Sequence, residues 1–161
     1  MSTKQKIIDL RPCADAREWL APYGDDLARA WAECPRGDWL LWLAARAGVD
    51  RKIVTLAACA CARTALRYVP AGEDRPRIAI ETTEAWCRGE ATIAQVRDVH
   101  AAAYAAACAA DAHAAYAAAY AADAHAAYAA RSEAREDHAC IVRSMIAWEQ
   151  VEQALLAPKE G

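Results

Sequence analysis

Phenylalanine is absent from this chain of 161 residues, and glycine and proline number only six each. Neither occurs between Gly89 and Pro158. So little glycine disfavours the loops that cradle nucleotide phosphates, and no GxSxG elbow, HExxH pair or Cys/His dyad is present either. The expectation is a protein without catalytic residues, cofactor or metal. Basic charge is also scarce: the net charge is −3, and no lysine or arginine falls between residues 99 and 130. General nucleic-acid binding needs a cationic surface and is not expected. The start, MSTKQKIIDL, lacks an apolar core followed by a cleavage site. The alanine-rich stretch is interrupted by Asp111, His113, Asp123 and His125. Both point to a cytoplasmic protein that does not enter the membrane. The seven cysteines form no CxxC pair and read as reduced, mostly buried small hydrophobes.

Alanine is what the chain has most of. It occupies 45 positions, including 21 of the 30 from 101 to 130. It has the highest helix propensity because it loses no side-chain entropy and offers no competing polar group. A continuous helix over 101–130 would span about 45 Å at ~1.5 Å per residue. The spacing predicts an all-α single domain over residues 1–157, with 158–161 as a tail: six or seven helices around this alanine-rich rod. A helix from Thr92 to Leu156 would approach 100 Å at ~1.5 Å per residue, so a break is expected near Arg131–Asp137, where RSEARED interrupts the alanine.

Tyr104, Tyr116 and Tyr128 recur every twelve residues, and DAHAAY occurs twice. Twelve residues advance a helix about 120° beyond whole turns, so the repeat makes separate sectors rather than one stripe. The bland explanation is a central helix packed on several sides, its methyl faces allowing close approach. The functional explanation is a recognition surface, with His113, Tyr116, Tyr120, Asp123, His125 and Tyr128 as the partner-binding candidates. His113 and His125 would lie about 18 Å apart on one helix, too far to share a metal.

Punctuation divides the first half into short helices. Pro12 is expected in the first turn of a helix ending near Gly24. Asp25 and Asp26 can cap a helix carrying Leu27, Trp31 and Cys34 at helical spacing. Asp38 suits the N-cap of WLLWLAARA, with Gly48 its stop. Asp50 opens the next helix, Pro76 begins another that stops at Gly89, and Thr92 with Gln95 has the form of a capping box. Lys6–Leu10 is the only strand candidate. Ile141, Met145, Trp148, Val151 and Leu155 form a core-facing stripe near the C-terminus. WLLWLAA is apolar all round and reads as a buried helix, its Trp39 and Trp42 filling core, with Trp86 and Trp148 as packing partners.

Arg63 sits in the apolar run IVTLAACACARTAL and needs water or a carboxylate, since burying it alone costs several kcal/mol. An antiparallel hairpin about Gly72 would bring it level with Glu81, with Glu84 one turn on. The expected role is an ion pair that sets register. The alternative is an anion pocket in which Arg63 is joined by Arg67 and Arg77.

The segments CPRGDWLLWLAARAGVD (34–50) and AACACARTALRYVPAGEDRPRIAIETTEAWCRGEAT (57–92) together resemble the fifth numbered family of bacterial immunity proteins of polymorphic-toxin systems. The resemblance covers about 60 residues and carries no defined binding residues. It implies a small cytosolic non-enzyme that neutralises a cognate toxin by protein–protein contact; the acidic, tyrosine-bearing C-terminal half is the surface expected to face the target. The competing expectation is a small-molecule or nucleotide-signal sequestering protein, as in resistance or phage counter-defence, its pocket lined by tryptophan, tyrosine and Arg63. A homo-oligomer built through alanine faces is the third.

Overall fold

The structure is a computed structural model. It describes residues 2–69, 71–102 and 124–158, with side chains for all of these except Tyr68 and 124–133. The chain is all-α, and the described residues contain no strand. The helices are α1 (Thr3–Asp9), α2 (Ala14–Leu20), α3 (Leu27–Glu33), α4 (Gly37–Ala47), α5 (Arg51–Thr64), α6 (Arg75–Arg88), α7 (93–102), α8 (Ala124–Met145) and α9 (Trp148–Leu156). Short 3₁₀ turns at Ala21–Tyr23 and Ala65–Tyr68 follow α2 and α5. The described residues therefore hold nine α-helices rather than six or seven. The coordinates divide into two compact units, Met1–Ala58 with Glu133–Gly161, and Cys59–Ser132. The central part of the alanine-rich tract, on which the rod at the heart of a bundle was expected, lies outside the described residues.

Most helix starts follow local chemistry. Asp26 Oδ1 accepts from the Arg29 amide at 3.2 Å, and Asp50 Oδ1 from those of Lys52 and Ile53 at 2.9 and 3.2 Å. The Thr92 capping box is complete: Thr92 Oγ1 accepts from the Gln95 amide at 3.2 Å, and Gln95 Oε1 from the Thr92 amide at 2.8 Å. Pro76 stands at the start of α6, and Gly89, at φ 83°, ends it. There the Glu90 amide donates to the Ala85 carbonyl at 2.8 Å and the Gly89 amide to that of Trp86 at 3.0 Å, a Schellman motif that a side-chain-bearing residue would strain.

Four local expectations are corrected. Lys6–Leu10 belongs to α1, where Ser2 Oγ caps the Gln5 amide. The apolar Ile7, Ile8 and Leu10 are as compatible with one helical face as with a strand. Pro12 precedes the α2 N-cap, Cys13, instead of lying in the first turn. Asp38 is inside α4 and is held by Arg36, which takes the N-cap position without a side-chain cap. Finally, α8 runs unbroken through Arg131–Asp137 and ends at Met145. RSEARED consists of sound helix formers, whereas at Ala147 the chain turns extended (ψ 153°) and its amide donates to Gln150 Oε1 at 2.9 Å, opening α9.

That break also splits the C-terminal stripe. In α9, Trp148, Val151 and Leu155 are buried as expected. Among the described side chains of α8 the buried positions are Ala139 and Val142, followed by Ile146 just beyond its end, while Met145 is exposed and Ile141 half-buried. A new helix start resets the angular register, so a count continued across it selects the wrong face.

In the first unit, α9 lies against α1, α3 and α4. Long side chains secure its surroundings: Lys6 Nζ donates to the Leu155 carbonyl at 2.9 Å, at the end of α9, and Arg143 Nη1 to the Cys34 carbonyl at 2.6 Å, at the end of α3. Cations at helix C-termini satisfy orphan carbonyls and complement the dipole. The start of α4 touches α8 so closely that a Cβ at Gly37 would fall 2.6 Å from His138 Cβ and 2.7–2.8 Å from backbone atoms of His138 and Ala139.

Candidate binding cavity

Alternation of bulky and small apolar residues on α2, α3 and α4 leaves the first unit incompletely filled. Trp31 and Leu27 project with Ala30 from α3, Trp39, Leu40, Trp42 and Leu43 from α4, and Trp19 with Ala16 from α2. Together with Ile7 of α1 and Trp148 of α9 they line a half-open cavity of about 470 Å³. That volume is within the range of sites for small organic ligands. Five of the six tryptophans line it. Trp86, the sixth, belongs to the second unit.

The rings hold one another in place. Trp19 packs against Tyr23 at 4.8 Å between centroids and edge-on against Trp39 at 6.2 Å, while Trp31 packs against Trp148 at 6.2 Å. The outer support is polar: Tyr23 Oη donates to Glu33 at 3.0 Å, and Arg29 pairs with the same carboxylate at 2.7 Å. Trp31 and Trp148 are buried, but Trp39 and Trp42 are half-buried. Thus α4 is not buried all round, as its composition suggested. Its tryptophans flank a space instead of filling core, and Trp148 packs on Trp31.

Few polar groups reach this wall. Asp38 is paired with Arg36 by two contacts, 2.8 and 2.5 Å. The guanidinium holds the Asp38 carboxyl below the usual carboxylate range, and it also covers the Trp39 ring at 4.5 Å. Burial pushes the Cys34 thiol up, so it stays protonated and unreactive at neutral pH. Cys13 and Arg11 complete the set.

Arg11 has a left-handed backbone, φ 61°, immediately before Pro12. It terminates α1, its amide donating to the Ile8 carbonyl at 2.9 Å. A side-chain-bearing residue in that conformation costs about 1–2 kcal/mol. Glycine is the usual choice at such a helix end.

The second unit holds the sequence-derived arginine site. Arg63 makes a bidentate pair with Glu84, Nε–Oε1 2.8 Å and Nη2–Oε2 2.7 Å. Arg63 holds the Glu84 carboxyl below its ordinary value. Glu81 instead pairs with Arg77 at 3.0 Å, and Arg77 also reaches Asp74 at 3.0 Å. The 3₁₀ turn after α5 rises ~2.0 Å per residue against 1.5 Å for α-helix, which moves the partner of Arg63 from Glu81 towards Glu84. Arg67 Nε donates to the Thr64 carbonyl at 2.9 Å. The three arginines are thus engaged by their own neighbours and do not converge as an anion pocket, and Arg63 is not on the wall of the tryptophan cavity.

Of the partner-binding candidates, His113, Tyr116, Tyr120 and Asp123 lie outside the described residues, and His125 and Tyr128 are on α8. Six cysteines are described and all are free, with Cys34, Cys59, Cys61 and Cys87 buried. Burial, with Glu84 adding to it, lifts the Cys59 thiol to about 11. No cluster of three potential metal ligands occurs among the described residues, and none of their helices is long and apolar enough to cross a membrane.

Compared with known proteins, the chain matches no family model, no curated sequence and no solved structure.

A tryptophan-lined pocket was the competing expectation, but its place and its other walls differ: neither a tyrosine nor Arg63 lines the cavity, which lies among α1, α2, α3, α4 and α9. Trp31, Trp39 and Trp42 crowd into twelve positions of a phenylalanine-free chain. Tryptophan at i, i+3 spacing is equally compatible with a filled core, and only the facing helices determine whether the space closes.

Proposed function

We propose that this protein binds and sequesters a small, flat, largely apolar molecule in the tryptophan cavity of its first unit, without catalysing its conversion. The observation that carries this reading is the concentration of five indoles around one space of about 470 Å³. Indole faces offer large rigid area and favourable stacking geometry at little conformational cost. The polar groups of the wall suit retention better than chemistry, since Asp38 is occupied by Arg36 and the Cys34 thiol is held protonated.

A thermal-shift screen against flat aromatic compounds tests it. A ligand at 100 times its dissociation constant adds about 2.7 kcal/mol to stability. Ala16 is on the cavity wall, so Ala16→Phe should occupy the space and abolish the shift. Absence of any shift in the native protein, or equal shifts in Ala16→Phe, contradicts the proposal.

A second reading, neutralisation of a toxin by direct contact in the cytoplasm, follows from the resemblance of residues 34–50 and 57–92. It draws support from the Arg63–Glu84 pair, which joins the Ala-Arg-Thr-Ala-Leu and Glu-x-x-Glu-x-Trp parts of that resemblance. Its test is co-expression with a candidate toxin taken from a neighbouring open reading frame. Rescue of growth that is lost when Tyr116, Tyr120 and His113 are changed to alanine supports the reading, and failure to rescue refutes it.

A further inference from the structure

We infer that the ligand of the tryptophan cavity is an aromatic acid, a flat π-system carrying one anionic oxygen group, and that Arg11 is the residue that selects it. The inference rests on the small-molecule reading and adds the chemical class of the ligand.

Charge is the first argument. The ionised side chains on the cavity wall are Arg11 and Asp38. Asp38 is neutralised by its bidentate contact with Arg36. Arg11, an exposed residue, makes no ion pair or side-chain hydrogen bond among the described residues; the same holds for Arg17 and Arg46, but of these Arg11 is the one that lines the cavity. Arg11, Arg36 and Asp38 together leave the wall one positive charge in excess. A guanidinium presents a planar fork matched to a carboxylate, and a bidentate contact of that kind is both strong and directional.

Hydrogen-bonding capacity is the second. Among the described residues the indole nitrogens of Trp31 and Trp148 donate to no other side chain or carbonyl, and no buried side-chain nitrogen or oxygen lacks a partner. Both rings are buried, at 5% and 8% exposure, and both line the cavity. Indole donates and cannot accept. The wall therefore offers donors and little free acceptor, which suits an oxygen-bearing anion.

The third concerns cations. Tryptophan faces attract cations, and an aromatic cage is a known device for quaternary ammonium. Here the Arg36 guanidinium already covers Trp39 at 4.5 Å, and the unpaired Arg11 repels a second positive charge. The aromatic walls are left for stacking.

Backbone conformation adds that arginine is a strained choice at position 11. With φ at 61°, glycine would relieve the strain. A ligand-binding side chain accounts for a strained residue here, where helix termination alone would favour glycine.

Calorimetric titration with 2-naphthoate, 2-naphthamide and 2-naphthylmethylammonium separates the possibilities. These probes share one ring system and differ in charge. The native protein should bind the carboxylate at least about tenfold more tightly than the amide, a difference of ~1.4 kcal/mol, and the ammonium weakest. Arg11→Gln should bring carboxylate and amide to equal affinity, while Arg11→Lys should keep part of the preference. Arg11→Gly should lose the preference too, while raising the melting temperature. Equal binding of the three probes, tightest binding of the ammonium, or a preference that survives Arg11→Gln overturns the assignment of an acid but leaves the cavity reading intact. If no probe binds and none protects Trp31 or Trp148 from solvent quenchers, the cavity reading itself falls.

Discussion

Gly37 and Arg11 illustrate how single residues carry the tertiary constraints of this chain. Both stand at helix ends, where the sequence reading marked only their neighbours Pro12 and Asp38. Gly37 is fixed by the approach of α8, because a Cβ would overlap backbone atoms of His138 and Ala139 at 2.7–2.8 Å. Backbone cannot rotate aside as a side chain can. Gly37→Ala is therefore expected to destabilise the protein by about 1–3 kcal/mol, the usual range for overpacking, read as a lower urea midpoint. An unchanged midpoint would mean that α4 and α8 pack more loosely than described. Nothing local distinguishes this glycine from one needed for its dihedral angles, so its role was not legible in the sequence.

Helix boundaries were legible at three places where a polar side chain reaches its own backbone, though the Ser2 cap of α1 and the Gln150 cap of α9 went unread. Asp26, Asp50 and Thr92 act over two or three residues, and the distance between cap and amide is set by the chain itself. Register between helices is different, since it depends on how the intervening turn stretches. The hairpin formed by α5 and α6 brought Arg63 to a glutamate as expected, but the 3₁₀ turn at Ala65–Tyr68 favoured Glu84 over Glu81. This pair also predicts a pH dependence. Glu84 is held below its ordinary value chiefly by its hydrogen bonds to Arg63, so the folded state binds its proton less readily than the unfolded chain. The resulting stabilisation is fully present above the unfolded carboxylate value of about 4.3 and is lost as pH falls through the folded value. Glu84→Gln should cost about 1 kcal/mol at pH 7, the upper end for a partly exposed pair. Urea midpoints of native protein and variant should converge as the solution is acidified. A gap that stays constant with pH would contradict the ionic origin of the effect. Arg77, exposed with both its partners, should contribute little by comparison.

Across the whole molecule, composition and pattern were sufficient for the all-α class. Alanine abundance, scarce glycine and proline, and caps before several of the apolar runs all favour helix through interactions within a few residues. They also identified Leu27, Trp31 and Cys34, all buried, because helical spacing alone places them on one face. Closure of space between helices was decided only by the tertiary structure. The tryptophans of α2, α3, α4 and α9 meet around a cavity because side chains distant in sequence fail to fill it. The stripe misread across Ile146–Ala147 and the neutralisation of Asp38 by Arg36 have related causes, since each depends on where the backbone turns. Propensity and capping are local free energies that the chain carries with it. Voids, close approaches and ion-pair partners are properties of surfaces brought together, and no segment contains them by itself.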